Sequence, residues 1–335
     1  MHVVSDNMHG FFSTLLQLCK GLYCNWSESL LPSCSLQTNK TTVVQTRKRR
    51  RSRQIIFRAV VRLVRFPNLM IVVLTQYLVR LCLVGPKSDW LVHVLDVGFF
   101  WLCFSTVCIA AAGYIINDYY DIKIDTINKP RRMVVGRIMS RRQAIFLHSI
   151  LNFVGIGLGT LVALRIGLVN FLAAFLLWLY SNQLKRLPFI GNFIVALLTA
   201  ATLWVVVLYD TRNEVLVYTY SAFAFFITLI REVIKDMEDV RGDATFGCRT
   251  LPIVWGIRRT KALLYVLIVF FLITLFAFTY FLPDRLVWYF SLFILVPMSW
   301  FGWRLHQADT RADFGYLSLV CKVISVVGVM SMIFV

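Results

Sequence analysis

The chain has 335 residues, 59% of them hydrophobic, with a mean hydropathy of +0.71 and a formal net charge of +18. Apolar runs of about 20 residues recur along it, which excludes a water-soluble domain and points to an all-α, polytopic membrane protein. In a soluble protein such a charge would suggest nucleic acid; here an uneven distribution of cations between the two membrane faces accounts for it, and no nucleic-acid partner is expected.

Residues 1–58 read as an N-terminal extension, disordered or interfacial, and 59–335 as the transmembrane domain. The run from Phe11 to Leu18 is too short to span a bilayer and lacks the flanks of a signal peptide. The sequons at Asn25 and Asn39 carry little weight, because the pattern is common by chance. Arg47, Lys48, Arg49, Arg50, Arg51 and Arg53 form a basic block suited to anionic headgroups on the cytoplasmic face. The eight cysteines show no metal-ligand spacing. Cys82, Cys103, Cys108 and Cys321 fall inside apolar runs and read as small packing residues.

Nine spans are expected, at 66–84, 91–116, 142–164, 167–184, 191–209, 214–234, 260–281, 286–303 and 315–335. Arg62, Arg65, Pro67 and Asn68 lead into the first, and Arg80 near its far end is expected to snorkel to the interface. Lys322 sits within the last span and either snorkels or faces a cavity. The connections after the second, fourth, sixth and eighth spans are rich in Lys and Arg, whereas the opposite loops carry only Lys87, Arg165, Arg212 and Arg285. This asymmetry places the N-terminus and the loops after the second and sixth spans in the cytoplasm of a cell with the protein in its inner membrane.

Two acidic stretches interrupt the apolar pattern. The first holds Asn117, Asp118, Asp121 and Asp125; the second holds Asp236, Glu238, Asp239 and Asp243. In both, the aspartates recur at i, i+3 and i+7, a spacing that on one helix puts three carboxylates on one face over ~10 Å. Two carboxylates ~5 Å apart repel by roughly 3 kcal/mol at an effective dielectric of ~20, so such a group needs cations. Mg²⁺ fits, since it takes oxygen ligands and bridges carboxylates to phosphates. Gly136 and Gly247 follow the two stretches, which suggests a duplication and two acid clusters that face each other.

Lys123, Lys129, Arg131, Arg132, Lys185, Arg186, Lys235 and Arg241 accompany the acids. Carboxylates with many fixed cations suggest a polyanion bound through the metal, and a diphosphate fits best. A polar site at the mouth of an apolar bundle suits a prenyl diphosphate, whose allylic cation the rings of Tyr119, Tyr120, Tyr180 or Phe225 could stabilise. Packing is the commoner role for any one of those rings. The surplus cations, Lys129, Arg132, Lys185, Arg186, Lys235 and Arg241, are expected to include a second anion site.

The chain resembles the UbiA superfamily of intramembrane prenyltransferases over about 60–335. The resemblance rests on the first acidic stretch with Ile127-Asn128-Lys129-Pro130, on Tyr180, Ser181, Leu184, Lys185 and Arg186, and on Arg231, Glu232, Lys235, Asp236, Glu238, Asp239, Gly242 and Asp243. It implies nine transmembrane helices around a central cavity and Mg²⁺-dependent prenyl transfer. By position Asn117, Asp118, Asp121, Asp125, Asp236, Asp239 and Asp243 match the metal motifs, with the six aspartates in the catalytic role. Asn68, Asn117, Lys129, Arg132, Tyr180, Lys185, Arg186 and Lys235 are the substrate-binding candidates. The form of the second motif is most similar to the geranylgeranylglycerol-phosphate geranylgeranyltransferase branch, although Met133 stands after Arg132 where the family usually has Arg-Pro. The expected partners are therefore a prenyl diphosphate donor, a lipid or aromatic acceptor, and the bilayer. An aromatic acceptor is the alternative within the enzyme class; a transporter is the alternative outside it, disfavoured because nearly all charges lie toward one face.

Overall fold

The computed structural model describes residues 57–84, 90–130, 133–210, 214–279 and 284–334. Expectations for the N-terminal extension and for Lys87, Arg131, Arg132 and Arg212 fall outside these. A helical stretch at 57–63 leads through Arg65 into α1 (Phe66–Leu78), which runs on as a π-helical turn, Val79–Val84. Then follow α2 (Trp90–Val94), α3 (Val97–Tyr120), α4 (Ile122–Asn128), α5 (Arg141–Val162), α6 (Leu164–Asn182) and α7 (Ile190–Tyr209). The chain continues with α8 (Glu214–Thr245), α9 (Leu251–Thr279), α10 (Asp284–Phe290), α11 (Val296–Gln307) and α12 (Arg311–Met330). The protein is a multi-pass integral membrane protein. Eight helical segments among the described residues are long and apolar enough to cross a bilayer. The ninth expected span, 286–303, falls on α10 and α11, which a π-helical turn at Ser291–Leu295 separates.

Local signals set several helix ends. Ser140 and Gln143 form a capping box at the start of α5, and Thr310 and Asp313 form one at the start of α12. Asp96 caps α3 by accepting from the Phe99 amide. Gly256, at φ 78°, kinks α9 near its beginning.

The helices close into a ring. α1 packs on α3, α3 on α5 and α6, α6 on α7, and α7 on α8; α8 also meets α9 and α12, and α12 returns to α1. α8 is the wall through which most of the core is organised, burying Tyr220, Phe223, Ile227, Ile230, Val233 and Met237. Because lipid is as apolar as the side chains, small residues and polar bridges hold the ring together. Gln76 donates to Thr106 Oγ1 (3.2 Å) and to the Thr202 carbonyl (3.0 Å), tying α1 to α3 and α7. Asn170 donates to Ser105 Oγ (3.1 Å) and to the Gly155 carbonyl (3.0 Å), tying α6 to α3 and α5.

Two cations inside spans settle differently from one another. Arg80 does not snorkel. Its side chain is only 8% exposed, pairs with Asp210 and with Asp96 (3.4 Å), and lies over the rings of Phe99 (5.8 Å) and Tyr209 (5.4 Å). Tyr209 Oη donates to both Asp96 oxygens, at 2.9 and 3.0 Å. An unpaired Arg at the centre of a membrane helix costs about 3 kcal/mol even on insertion scales; two carboxylates at the adjacent ends of α3 and α7 offset that here. Lys322 faces inward, its Nζ donating to Asn68 Oδ1 across the α12–α1 seam at 2.7 Å.

Candidate active site

The acidic stretches lie at one end of the ring, formed by the C-terminal ends of α3 and α8 and the N-terminal ends of α1, α7 and α12. They are not built alike. α8 continues to Thr245, eleven residues beyond the span expected to end at 234, so Asp236, Asp239 and Asp243 do share one helix. The first stretch breaks at Asp121, the C-cap of α3 (ψ 0°), and Asp125 sits on the separate helix α4. The three aspartates thus share one helix in the second stretch and are divided between two in the first.

Asn128 holds the two stretches together. Its amide donates to the Asp239 carbonyl (3.1 Å), its Oδ1 accepts from the Gly242 amide (3.1 Å), and its own carbonyl accepts from Arg311 (2.5 Å). Gly242 permits this approach, since a Cβ there would stand about 2.5 Å from the Asn128 side chain. Gly136 and Gly247 take φ 85° and 71° in the turns that follow, conformations that suit glycine.

Most of the acids are already engaged. Asp118 accepts from Arg65 at 3.2 Å, and that guanidinium also lies 4.8 Å over the Tyr114 ring. Arg65 itself holds a left-handed backbone, φ 51° and ψ 51°, at the start of α1. Asp121 accepts from Lys185 and from Asn117 Nδ2 (2.8 Å). Asp236 accepts from Asn192 at 2.8 Å, and Asp239 from Lys129 at 2.6 Å. Among the described residues no hydrogen bond or ion pair reaches the carboxylates of Asp125 or Asp243. Burial, then the charge of Asp121, pushes the Asp125 carboxyl up to about 6 against the pull of Lys129. Burial works against the Lys185 ammonium, but Asp121, Tyr180 and Asp243 outweigh it and raise it above its ordinary range. Lys185 therefore senses both acidic stretches, and so marks where they meet.

The donor set suits a hard divalent cation, being carboxylate oxygens from two facing elements. One of them, Asp239 Oδ1, is buried without a hydrogen-bond partner, with Arg311 3.9 Å away. Among the described residues no three His, Cys, Asp or Glu side chains converge on a common ligand position. Lys129 and Lys185 stand instead against the acids, so a metal would enter with a ligand that draws these ammoniums away.

The other candidates divide. Tyr180 lies beside Gly191, where a Cβ would come 3.2 Å from its ring, one turn from Lys185. Arg186 is exposed and tied only through its backbone, its carbonyl accepting from the Arg249 amide at 2.8 Å. Arg241 is exposed as well. Asn68 joins Lys322 to Tyr114, whose hydroxyl accepts from it at 3.5 Å. Lys235 pairs with Glu232 (2.9 Å), which also accepts from Arg231 (2.7 Å). Of the aromatic candidates, Tyr119 stacks under Arg141 (4.7 Å) and Phe225 packs on Phe193 (5.4 Å). The sequence named Asn128 only within the Ile127-Asn128-Lys129-Pro130 segment and gave no role to it, to Asn192 or to Arg311. Asn192 carried a weaker signal, as an amide at the head of an apolar run.

The profile of the UbiA prenyltransferase family matches residues 72–315, which take in both acidic stretches and most of the chain. The chain belongs to the UbiA prenyltransferase family. Among its relatives, the digeranylgeranylglyceryl phosphate synthase of Methanosphaera stadtmanae is 39% identical over 156 residues, covering 47% of this chain and 57% of the relative. The enzyme of the same name from Saccharolobus solfataricus is 31% identical over 225 residues, covering 67% of this chain and 79% of the relative. For the relatives of higher identity, then, the match spans little more than half of their length. In three dimensions the fold is shared with a solved digeranylgeranylglyceryl phosphate synthase (TM-score 0.63, 22% identity, 83% of this chain and 97% of the other). It is shared too with a UbiA homolog from Archaeoglobus fulgidus bound to GPP and Mg²⁺ (TM-score 0.57, 15% identity, 83% and 100%).

Proposed function

We propose that the protein transfers a prenyl group from a prenyl diphosphate, with geranylgeranyl the fitting chain, to the hydroxyl of a prenylated glycerol phosphate. The observation that carries this reading is the convergence of two acidic stretches on Lys185 and Asn128 at the polar end of an apolar ring. The likeness to the synthases named above supports the glycerol-phosphate acceptor. Asp118, Asp121, Asp125, Asp236, Asp239 and Asp243, with Asn117, would hold Mg²⁺, which supplies charge neutralisation to the diphosphate. Lys129 and Lys185 leave their carboxylates and turn to the phosphate oxygens; Arg132 and Arg186 belong to the neighbouring connections. The C1–O bond of the donor breaks, and its electron pair leaves with the diphosphate. The acceptor oxygen bonds to C1, and its proton passes to an oxygen of the released diphosphate. The apolar ring would enclose the tail and exclude water from the allylic cation.

The acidic end faces the cytoplasm in this reading, from the bias of basic loops. Cysteine at position 129 should react only with reagents that reach the cytoplasm of intact cells; labelling from outside overturns the orientation. The activity is tested with purified protein, Mg²⁺, and panels of prenyl diphosphates and acceptors, with products read by mass. Digeranylgeranylglyceryl phosphate is expected, and chelation should stop its formation. A prenylated aromatic acid or quinol precursor, with glycerol phosphates ignored, would overturn the acceptor.

A further inference from the structure

A second polar cluster lies deeper in the ring than the acids. Arg231 is five residues before Asp236 and eight before Asp239 on α8, so it lies ~7–12 Å farther into the bundle. Lys322 is eleven residues into α12, while Arg311 at the start of that helix reaches the acidic end. Arg231 and Lys235 share Glu232, at 2.7 and 2.9 Å. Lys322 has an amide, Asn68, and not an acid as its partner. α8 and α12 pack antiparallel, with Gly315 against Glu238 and Gly328 against Phe223, and this sets Lys322 level with Arg231. Arg65 is matched by Asp118. Between α8, α12 and α1 the cations Arg231, Lys235 and Lys322 therefore outnumber the carboxylates beside them, Glu232 and, next to Lys235, Asp236. Positive charge in excess of its counter-charge is unfavourable within an apolar ring, and a bound anion relieves it.

We propose that Arg231, Lys235 and Lys322, with the amide of Asn68, bind the phosphate monoester of the acceptor, separately from the donor diphosphate held at the acids. This rests on the prenyl-transfer reading above. The spacing agrees. A diphosphate-to-C1 bond, an attack distance of ~3–3.5 Å and the short link from glycerol hydroxyl to phosphate together place the two phosphorus centres of the order of 8–10 Å apart. The expected second anion site is thus moved inward: Lys129 and Lys185 serve the donor diphosphate, whereas Arg231 and Lys322 lie deeper. Arg231 supplies a planar fork for paired phosphate oxygens, and Lys235 and Lys322 supply point charges.

The test uses the full chain in nanodiscs and has two arms. In the first, donor and acceptor KM are measured for Lys322→Met, Arg231→Gln and Lys322→Arg. The two neutral variants should raise the acceptor KM at least tenfold and leave the donor KM within twofold, and Lys322→Arg should restore much of the acceptor affinity. A donor KM that rises in parallel with the acceptor KM overturns the assignment. The second arm omits donor and Mg²⁺ and measures the thermal stabilisation of the protein by geranylgeranylglyceryl phosphate, geranylgeranylglycerol, inorganic phosphate and phosphatidylglycerol. The phosphorylated acceptor should stabilise the wild type and not Lys322→Met, while the dephosphorylated one should do little to either. Equal stabilisation of wild type and Lys322→Met by the phosphorylated acceptor refutes the site, as does stabilisation by phosphatidylglycerol in place of the acceptor. If the wild type prenylates only uncharged or aromatic acceptors, the prenyl-transfer reading loses its acceptor, and the second arm still decides whether this cluster binds a phosphate monoester.

Discussion

Arg80 and Lys322 are both cations set into apolar helices, and the ring treats them in opposite ways. Arg80, at the end away from the acids, is enclosed by Asp96, Asp210, Phe99 and Tyr209. Lys322 meets an amide and neighbours Arg231. A charge surrounded by counter-charges has no electrostatic need of a ligand and serves to clasp helix ends. A charge left in surplus has such a need. The same contrast runs through the acidic end, where Asp118, Asp121, Asp236 and Asp239 hold cations or amides while Asp125 and Asp243 do not. Within a membrane, the balance of charge separates structure from function better than the mere presence of a charged residue.

The sharpest break of this comparison is at the acids. Asp121→Ala and Asp239→Ala should each lower turnover by at least ~10³-fold, as expected when a group that orders a metal-bound phosphate is lost. Both variants should still fold in detergent, although Asp121→Ala leaves Lys185 without its buried counter-charge and lowers the melting temperature; a collapse of the fold would make them structural. The converse holds at the far end. Arg80→Ala leaves Asp96 and Asp210 without their shared cation and should cost about 3–5 kcal/mol of stability, read as a large fall in melting temperature. Lys322→Met should leave the melting temperature unchanged or raise it, because it removes surplus charge. Equal destabilisation by the two would erase the distinction.

A smaller effect is expected at the brace between the acidic stretches. Gly242→Ala forces a Cβ against Asn128 and should lower kcat about tenfold or more by displacing α4 from α8. Adding Asn128→Ala relieves the clash but loses the bonds to Asp239 and Gly242, so the double variant should recover only part of the activity. Strict additivity would show that the two positions act independently. The smallest change is Tyr209→Phe, which removes one donor from Asp96 and should cost about 1.5 kcal/mol of stability, with kcat and both KM values unaltered.

Much of this was legible from residues alone because membrane burial is decided locally. A run of about 20 apolar residues has one stable conformation in lipid, since only a helix satisfies its own backbone. The expected span 286–303 has no counterpart among the eight crossing segments of the described residues, and there a π-helical turn separates α10 from α11. The acidic stretches were legible for a similar reason: carboxylates amid apolar sequence have few explanations other than a cation. The snorkelling expected of Arg80 was wrong because its counter-charges come from positions 16 and 130 residues away. The division of the first stretch between α3 and α4 at Asp121 was not legible, because a helix break there is a matter of backbone and not of spacing.

The sequence by itself determined the helical, membrane-spanning character of the chain, the family it belongs to and the two clusters of acid, because each follows from composition and short-range order. Only the tertiary structure decided which charges are balanced. That Asn128 sits against Gly242, that Lys185 stands between the two stretches, that Arg80 is closed off and that Lys322 turns inward beside Arg231 all depend on contacts between distant helices. Electrostatic energy depends on separations in space, and those are set by how the ring closes.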